Sequence, residues 1–114
     1  MIERIDTICL RVSNLEEASK WYQEKLDLQE SYKGDTYRIL RIGSSEIPLT
    51  LEEGQPISSD QQSYPIFFTK DIHSAYEKLK DEGVNVSEIQ HDEPNHFFTF
   101  YDEDHNKLQL CHWE

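Results

Sequence analysis

One order of elements is written twice in this chain. Setting Leu15 against Ile72 brings Ala18 onto Ala75 and Tyr22 onto Leu79, so the apolar face of one amphipathic segment recurs in a second. In the first half "IDTICLRV" alternates, with Ile8, Leu10 and Val12 on one face and Thr7, Cys9 and Arg11 on the other, which predicts a strand with one buried side. "SNLEEASKWYQEKL" then predicts a helix opened by a capping box, Ser13 at the N-cap and Glu16 three residues on. Strands are expected near residues 28–33, 36–42 and 46–52, separated by Lys33-Gly34-Asp35 and Gly43-Ser44-Ser45. The pattern restarts at "YPIFFT". Asp71 caps a helix running to about Glu82, and Gly83 stops it. Strands are expected near 85–91, 96–101 and 106–112.

The result is β-α-β-β-β twice, an α+β fold. Module 1 covers about residues 1–53 and module 2 about 64–114, joined across a Gly-, Pro- and Ser-containing linker at about 54–63. Each half alone is too small to enclose a core, so the two are expected to share one. The expected architecture is a curled, cup-shaped mixed sheet with the helices on its outer face. Strand parity then assigns the faces, because a one-residue slip would exchange every inward and outward side chain. Thr7, Cys9 and Arg11 point into the hollow in the first half, and Tyr64, Ile66 and Phe68 in the second, with Phe67 and Thr69 under the helix.

Composition narrows the function classes. The net charge of −12 disfavours nucleic acid, whose binding depends on cationic side chains, and would concentrate a cationic ligand. Aromatic residues at 11% argue against a disordered chain. No apolar run approaches the ~20 residues of a membrane span, and "MIERIDTICL" lacks the apolar core of a signal peptide. A cytoplasmic protein without membrane partners is expected. Cys9 and Cys111 have no C-x-x-C spacing and are expected to stay reduced.

Three stretches, "IDTICLRVSNLEEASKWYQEKLDL", "TKDIHSAYEKLKDEGV" and "FTFYDEDHNKLQL", resemble the glyoxalase / bleomycin-resistance / extradiol-dioxygenase family, the vicinal oxygen chelate superfamily. "FTFYDEDHNKLQL" is similar to that family's F-x-D-P-D-G-N-x-x-E-L signature, with His105 in the usual Gly place and Asn106 able to take a left-handed conformation. The resemblance implies four metal-ligand positions. They fall on Thr7, on Pro48 or Thr50, on Tyr64 and on Gln109. Hydroxyls, a phenol and an amide replace the imidazoles and carboxylates that a divalent cation prefers, so no metal and no other cofactor is expected there. The histidines offer no replacement: His91 and His96 straddle the turn "HDEPNH", which reads as a solvated hairpin.

Nucleophilic chemistry finds no partner set either, since neither cysteine has a histidine on the same face of its own strand. No catalytic residue is assigned. Arg11 is a candidate for a ligand carboxylate or phosphate, or equally for an ion pair with Glu52. The remaining inward side chains are mostly rings: Tyr37, Tyr64, Phe68, Tyr101 and Trp113, with Phe97 beside them. Together with Thr7, Cys9, Arg11, Thr50 and Gln109 they form the expected ligand-binding surface. A flat or amphipathic small molecule, cationic or aromatic, suits it. The leading expectation is a metal-independent small-molecule-binding protein, a homodimer like many members of the family. The alternatives are a divergent metal-dependent glyoxalase-type lyase or dioxygenase, and a non-enzymatic regulatory or interaction module.

Overall fold

In the computed structural model, residues 1–56 and 61–114 are described. The middle of the expected linker, residues 57–60, lies outside them. The chain divides into two compact units, Met1–Ile57 and Ser58–Glu114.

The first unit runs β1 (Ile8–Val12), α1 (Leu15–Leu26), β2 (Gln29–Lys33), β3 (Tyr37–Arg41) and β4 (Leu49–Glu53). Its sheet has the order β1-β4-β3-β2, with β1 parallel to β4 and the other pairs antiparallel. The N-cap of α1 is Asn14, not Ser13: the Asn14 side chain accepts from the Glu17 backbone N–H at 3.0 Å. Both residue types can cap, and the chain still extended at Asn14 (φ −137°) settles which one does. At the other end Asp27 takes a left-handed conformation (φ 58°) and its backbone N–H bonds to the Tyr22 carbonyl. The helix buries Leu15, Ala18, Ser19 and Tyr22 against Val12, Leu40, Leu49 and Leu51 of the sheet. Tyr22 and those four sheet residues are fully buried, each contributing roughly 1.5–3 kcal/mol.

One charge is buried with them. Arg38 has the parity of Leu40 and is only 7% exposed. Its guanidinium lies 3.5 Å from Glu16 and 3.8 Å from Glu30, and it donates to the carbonyls of Gly34 and Tyr37. Ser19 in turn donates to Glu30 at 2.5 Å. A desolvated guanidinium is tolerable because its donors are used.

The second unit repeats the plan with β5 (Ile66–Phe68), α2 (Ile72–Asp81), β6 (Gln90–Asp92), β7 (Asn95–Tyr101) and β8 (Lys107–His112), ordered β5-β8-β7-β6. Asp71 caps α2 by accepting from the Ser74 N–H at 3.1 Å. Gly83, at φ +81°, ends it in a conformation that costs a glycine little. Ile72, Leu79, Val84, Phe98, Phe100 and Leu108 are buried in this unit, and Tyr76 of α2 meets Phe98 edge-on at 5.2 Å. Within each unit a helix packs on its sheet and buries these side chains. A helix laid on four strands is enough to exclude water from one sheet face.

Two strands differ from expectation. The strand expected at 46–52 begins only at Leu49, after the Ser45 hydroxyl has bonded both the Ile47 N–H and its carbonyl. The one expected at 85–91 reduces to Gln90–Asp92 plus an isolated bridge between Val86 and Phe100. In the last turn His105 itself takes the left-handed conformation (φ 64°), not Asn106. Asn106 is instead buried. Asp102 accepts from the Asp104 and Asn106 N–H groups at 2.9 and 2.8 Å, and from Asn106 Nδ2 at 2.8 Å.

Candidate functional site

The face of each sheet that its helix leaves open carries the chemistry. In the first unit, register places Cys9 beside Thr50 and Arg11 beside Glu52 across β1 and β4, with Ile39 and Tyr37 next to them on β3. Thr7 Oγ1 lies 2.7 Å from Thr50 Oγ1 and donates to the Pro48 carbonyl at 3.0 Å. A hydroxyl has one proton, so Thr50 is then the donor between the two threonines. The Arg11 Nε–Glu52 Oε1 distance is 3.4 Å, and both side chains are about half exposed (54% and 47%). That is the ion pair with Glu52 weighed for Arg11 from the sequence. Tyr37 and Tyr32 stack with ring centroids 5.5 Å apart. The stack needs Gly34, because a Cβ there would lie 2.9 Å from Tyr37 Cε1 and 3.2 Å from Tyr32 Cε2. A hydrogen bond with Tyr32 and the neighbouring phenol's charge push the pKa of the Tyr37 hydroxyl up.

In the second unit the open face holds Ile66 and Phe68 beside Gln109 and Cys111, with Thr99 and Phe97 next along the sheet. Gln109 is nine-tenths buried, and its backbone N–H donates to the Pro65 carbonyl at 3.1 Å. Lys107, opposite Tyr101, places its Nζ 4.2 Å from the Tyr64 ring centroid. Phe68 (51% exposed) meets Trp113 (56% exposed) edge-on at 5.4 Å. Such exposed rings are costly to leave in water and are ready to stack on a ligand.

Both thiols are pushed up from the ordinary cysteine value. For Cys9 desolvation is the largest cause and the Glu52 carboxylate adds to it, against a lowering by Arg11; for Cys111 it is burial. Thiols held protonated are poor nucleophiles.

Residues 4–110 match the profile of the glyoxalase/bleomycin resistance protein/dioxygenase superfamily. The chain belongs to that superfamily. Solved structures agree on this vicinal oxygen chelate fold. A genomically encoded fosfomycin resistance protein from Listeria monocytogenes matches at TM-score 0.85 and 19% identity, covering 100% of this chain and 96% of the other. A glyoxylase/bleomycin resistance protein/dioxygenase domain from Frankia sp. EAN1pec gives 0.83 and 20%, over 100% and 94%. A lactoylglutathione lyase from Agrobacterium tumefaciens gives 0.78 and 12%, over 97% and 94%. At these identities the likeness is one of fold.

The superfamily's metal can be tested against the residues present. Of Pro48 and Thr50, it is Thr50 whose side chain meets Thr7, and those two hydroxyls are bonded to each other and to a carbonyl. Tyr64 carries an ammonium over its ring, and Gln109 is a neutral amide. Neither pair, Thr7 with Thr50 in the first unit or Tyr64 with Gln109 in the second, offers an imidazole or a carboxylate, and neither fits a divalent cation. Among the described residues, no group of three or more His, Cys, Asp and Glu side chains is placed to hold one elsewhere.

The sequence-derived positions fall in both units. Thr7, Cys9, Arg11, Tyr37 and Thr50 lie together in the first, and Tyr64, Phe68, Tyr101, Gln109 and Trp113 in the second. Two participants were missed. Lys107 shares the parity of Gln109 and Cys111, a signal present in "KLQLC". Tyr32 was not legible, because the irregularity between Glu30 and Tyr32 changes which residues of β2 face the open side.

Proposed function

We propose that this protein binds a small organic molecule, aromatic or cationic, on its open sheet faces without a divalent metal. The observation that carries the reading is the chemistry at the four superfamily ligand positions: two mutually bonded threonines, a phenol under an ammonium, and an amide. Exposed rings at Tyr32, Tyr37, Phe68 and Trp113 supply flat contact area, and the net charge of −12 favours a cation. The Listeria resistance protein has been crystallised with Mn(II) and sulfate. A comparable chemistry in this chain would need donors that its residues do not supply at those places. A cytoplasmic homodimer belongs to the same reading, since pairing would cover exposed apolar side chains such as Ile66 and Phe68. Sedimentation measurements test that part.

The binding test uses Trp113 as reporter and ethidium, a flat aromatic cation, as probe, with protein stripped by EDTA. Saturable quenching is expected, unchanged when magnesium or manganese is restored, and weakened about tenfold or more by Phe68→Ala, in line with the loss of one stacked ring and its desolvated surroundings. Quenching that appears only after metal is restored would refute metal independence. Quenching indifferent to Phe68→Ala would refute the placement.

A further inference from the structure

The β6–β7 hairpin brings two imidazoles together edge to face. His91 and His96 are directly opposite in the antiparallel register, and their rings cross at 79° with centroids 4.7 Å apart. The Nδ1 atoms approach to 2.5 Å. Two nitrogen lone pairs aimed at one point can share a single proton or a single metal ion, and cannot both be protonated there without repulsion.

We propose that His91 and His96 chelate a borderline divalent transition-metal ion, of the zinc, nickel and copper(II) class. Imidazole nitrogen binds such ions at about 2.0–2.1 Å, which requires the two donors to stand roughly 3 Å apart. The observed separation must open by only about half an ångström, a small rotation of two side chains. His91 is exposed and His96 half-buried, so water can complete the coordination. Asp92 follows His91 in the chain, Glu93 lies in the turn, and the whole protein is strongly acidic, all of which favours a cation. Hard ions such as magnesium and calcium prefer oxygen and gain little from this pair.

A third histidine marks the limit of the site. His112 stands opposite His96 on β8, completing a row of three across the sheet. Its Nδ1 donates to the Thr69 carbonyl at 2.8 Å, and among the described residues no group of three or more His, Cys, Asp and Glu side chains is placed to hold a metal ion. The pair is therefore bidentate. It also stands apart from the proposed ligand surface: His96 has the parity of Phe98, which meets Tyr76 of α2, so it projects from the helix side of the sheet. Metal held here leaves the metal-free reading of the open faces intact.

The test is zinc competition against a chromogenic chelator, using EDTA-stripped full-length chain at neutral pH, repeated with nickel and copper(II). One ion per chain is expected. His91→Ala and His96→Ala should each weaken uptake by about tenfold or more, at least what removal of an outer-shell partner costs a metal site. His73→Ala, at an exposed position on α2, should leave it unchanged. Long-range proton–nitrogen NMR should show the Nδ1 signals of His91 and His96 moving together on zinc addition. No uptake, or uptake undiminished in the double His91→Ala/His96→Ala variant, would overturn the proposal. Circular dichroism on that variant confirms that the fold is retained.

Discussion

Replacing Arg38 by methionine isolates the one charge that the first core has to accommodate. The substitution keeps most of the side-chain volume and removes the guanidinium, whose side chain is only 8% exposed. Left behind are the Gly34 and Tyr37 carbonyls and a Glu30 carboxylate that is 24% exposed. Removing one partner of a fully buried pair costs about 3–5 kcal/mol. Here the cost is discounted, because Glu30 reaches water and keeps its bond from Ser19, while Glu16 is mostly solvated at 77% exposure. About 2–3 kcal/mol is expected, which for a chain of this size lowers the melting temperature by roughly 10 °C. Adding Glu30→Gln removes the stranded charge, so the double variant should be more stable than the sum of the two single losses predicts, by about 1 kcal/mol. Urea unfolding of the four proteins in the cycle measures this. A loss below about 0.5 kcal/mol for Arg38→Met, or strict additivity, would refute the reasoning.

Four further outcomes are expected. Asn14→Ala should cost about 1 kcal/mol by urea unfolding, which checks the position of the helix cap. His105→Gly should stabilise by about 0.5–1 kcal/mol, since it removes the penalty of a left-handed residue with a Cβ, whereas Asp102→Ala should destabilise by about 2–3. Cys9 and Cys111 should alkylate slowly near neutral pH, the exposed Cys9 first, because both thiols are held protonated. Their contribution to stability is fully present below the ordinary thiol value and is lost as pH rises through the higher folded-state values, so stability should decline above that ordinary value, and less so in Cys9→Ser/Cys111→Ser. Gly34→Ala should disturb the Tyr32–Tyr37 stack, read as a changed near-ultraviolet circular dichroism signal.

The repeat and the faces of the strands were legible because both are local periodicities. An inward Cys9 or Gln109 follows from counting by two, and the apolar stripe of α1 from counting by three and four. The same counting places Arg38 with Leu40 and Lys107 with Gln109. It does not reveal that Glu16 and Glu30 come from other elements to meet that arginine, or that Tyr64 lies beneath that lysine. Choosing Thr50 over Pro48 as the partner of Thr7 required the length of the turn before β4, and turn length is set by hydrogen bonds such as those of Ser45 rather than by any period. The family signature at Asp102–Asn106 was recognisable, but which residue turns left-handed was decided by burial: Asn106 is drawn inward by two bonds to the Asp102 carboxylate, and His105 takes the strained position.

By itself, then, the order of residues determined the doubled β-α-β-β-β plan, the helices, and which side chains stand at Thr7, Thr50, Tyr64 and Gln109. Only the folded chain decided which distant groups meet: Arg38 with its two glutamates, Lys107 with Tyr64, and His91 with His96. Periodicity is a property of a few neighbouring residues, whereas these meetings depend on register and on turns, where one residue more or less moves a side chain to the opposite face.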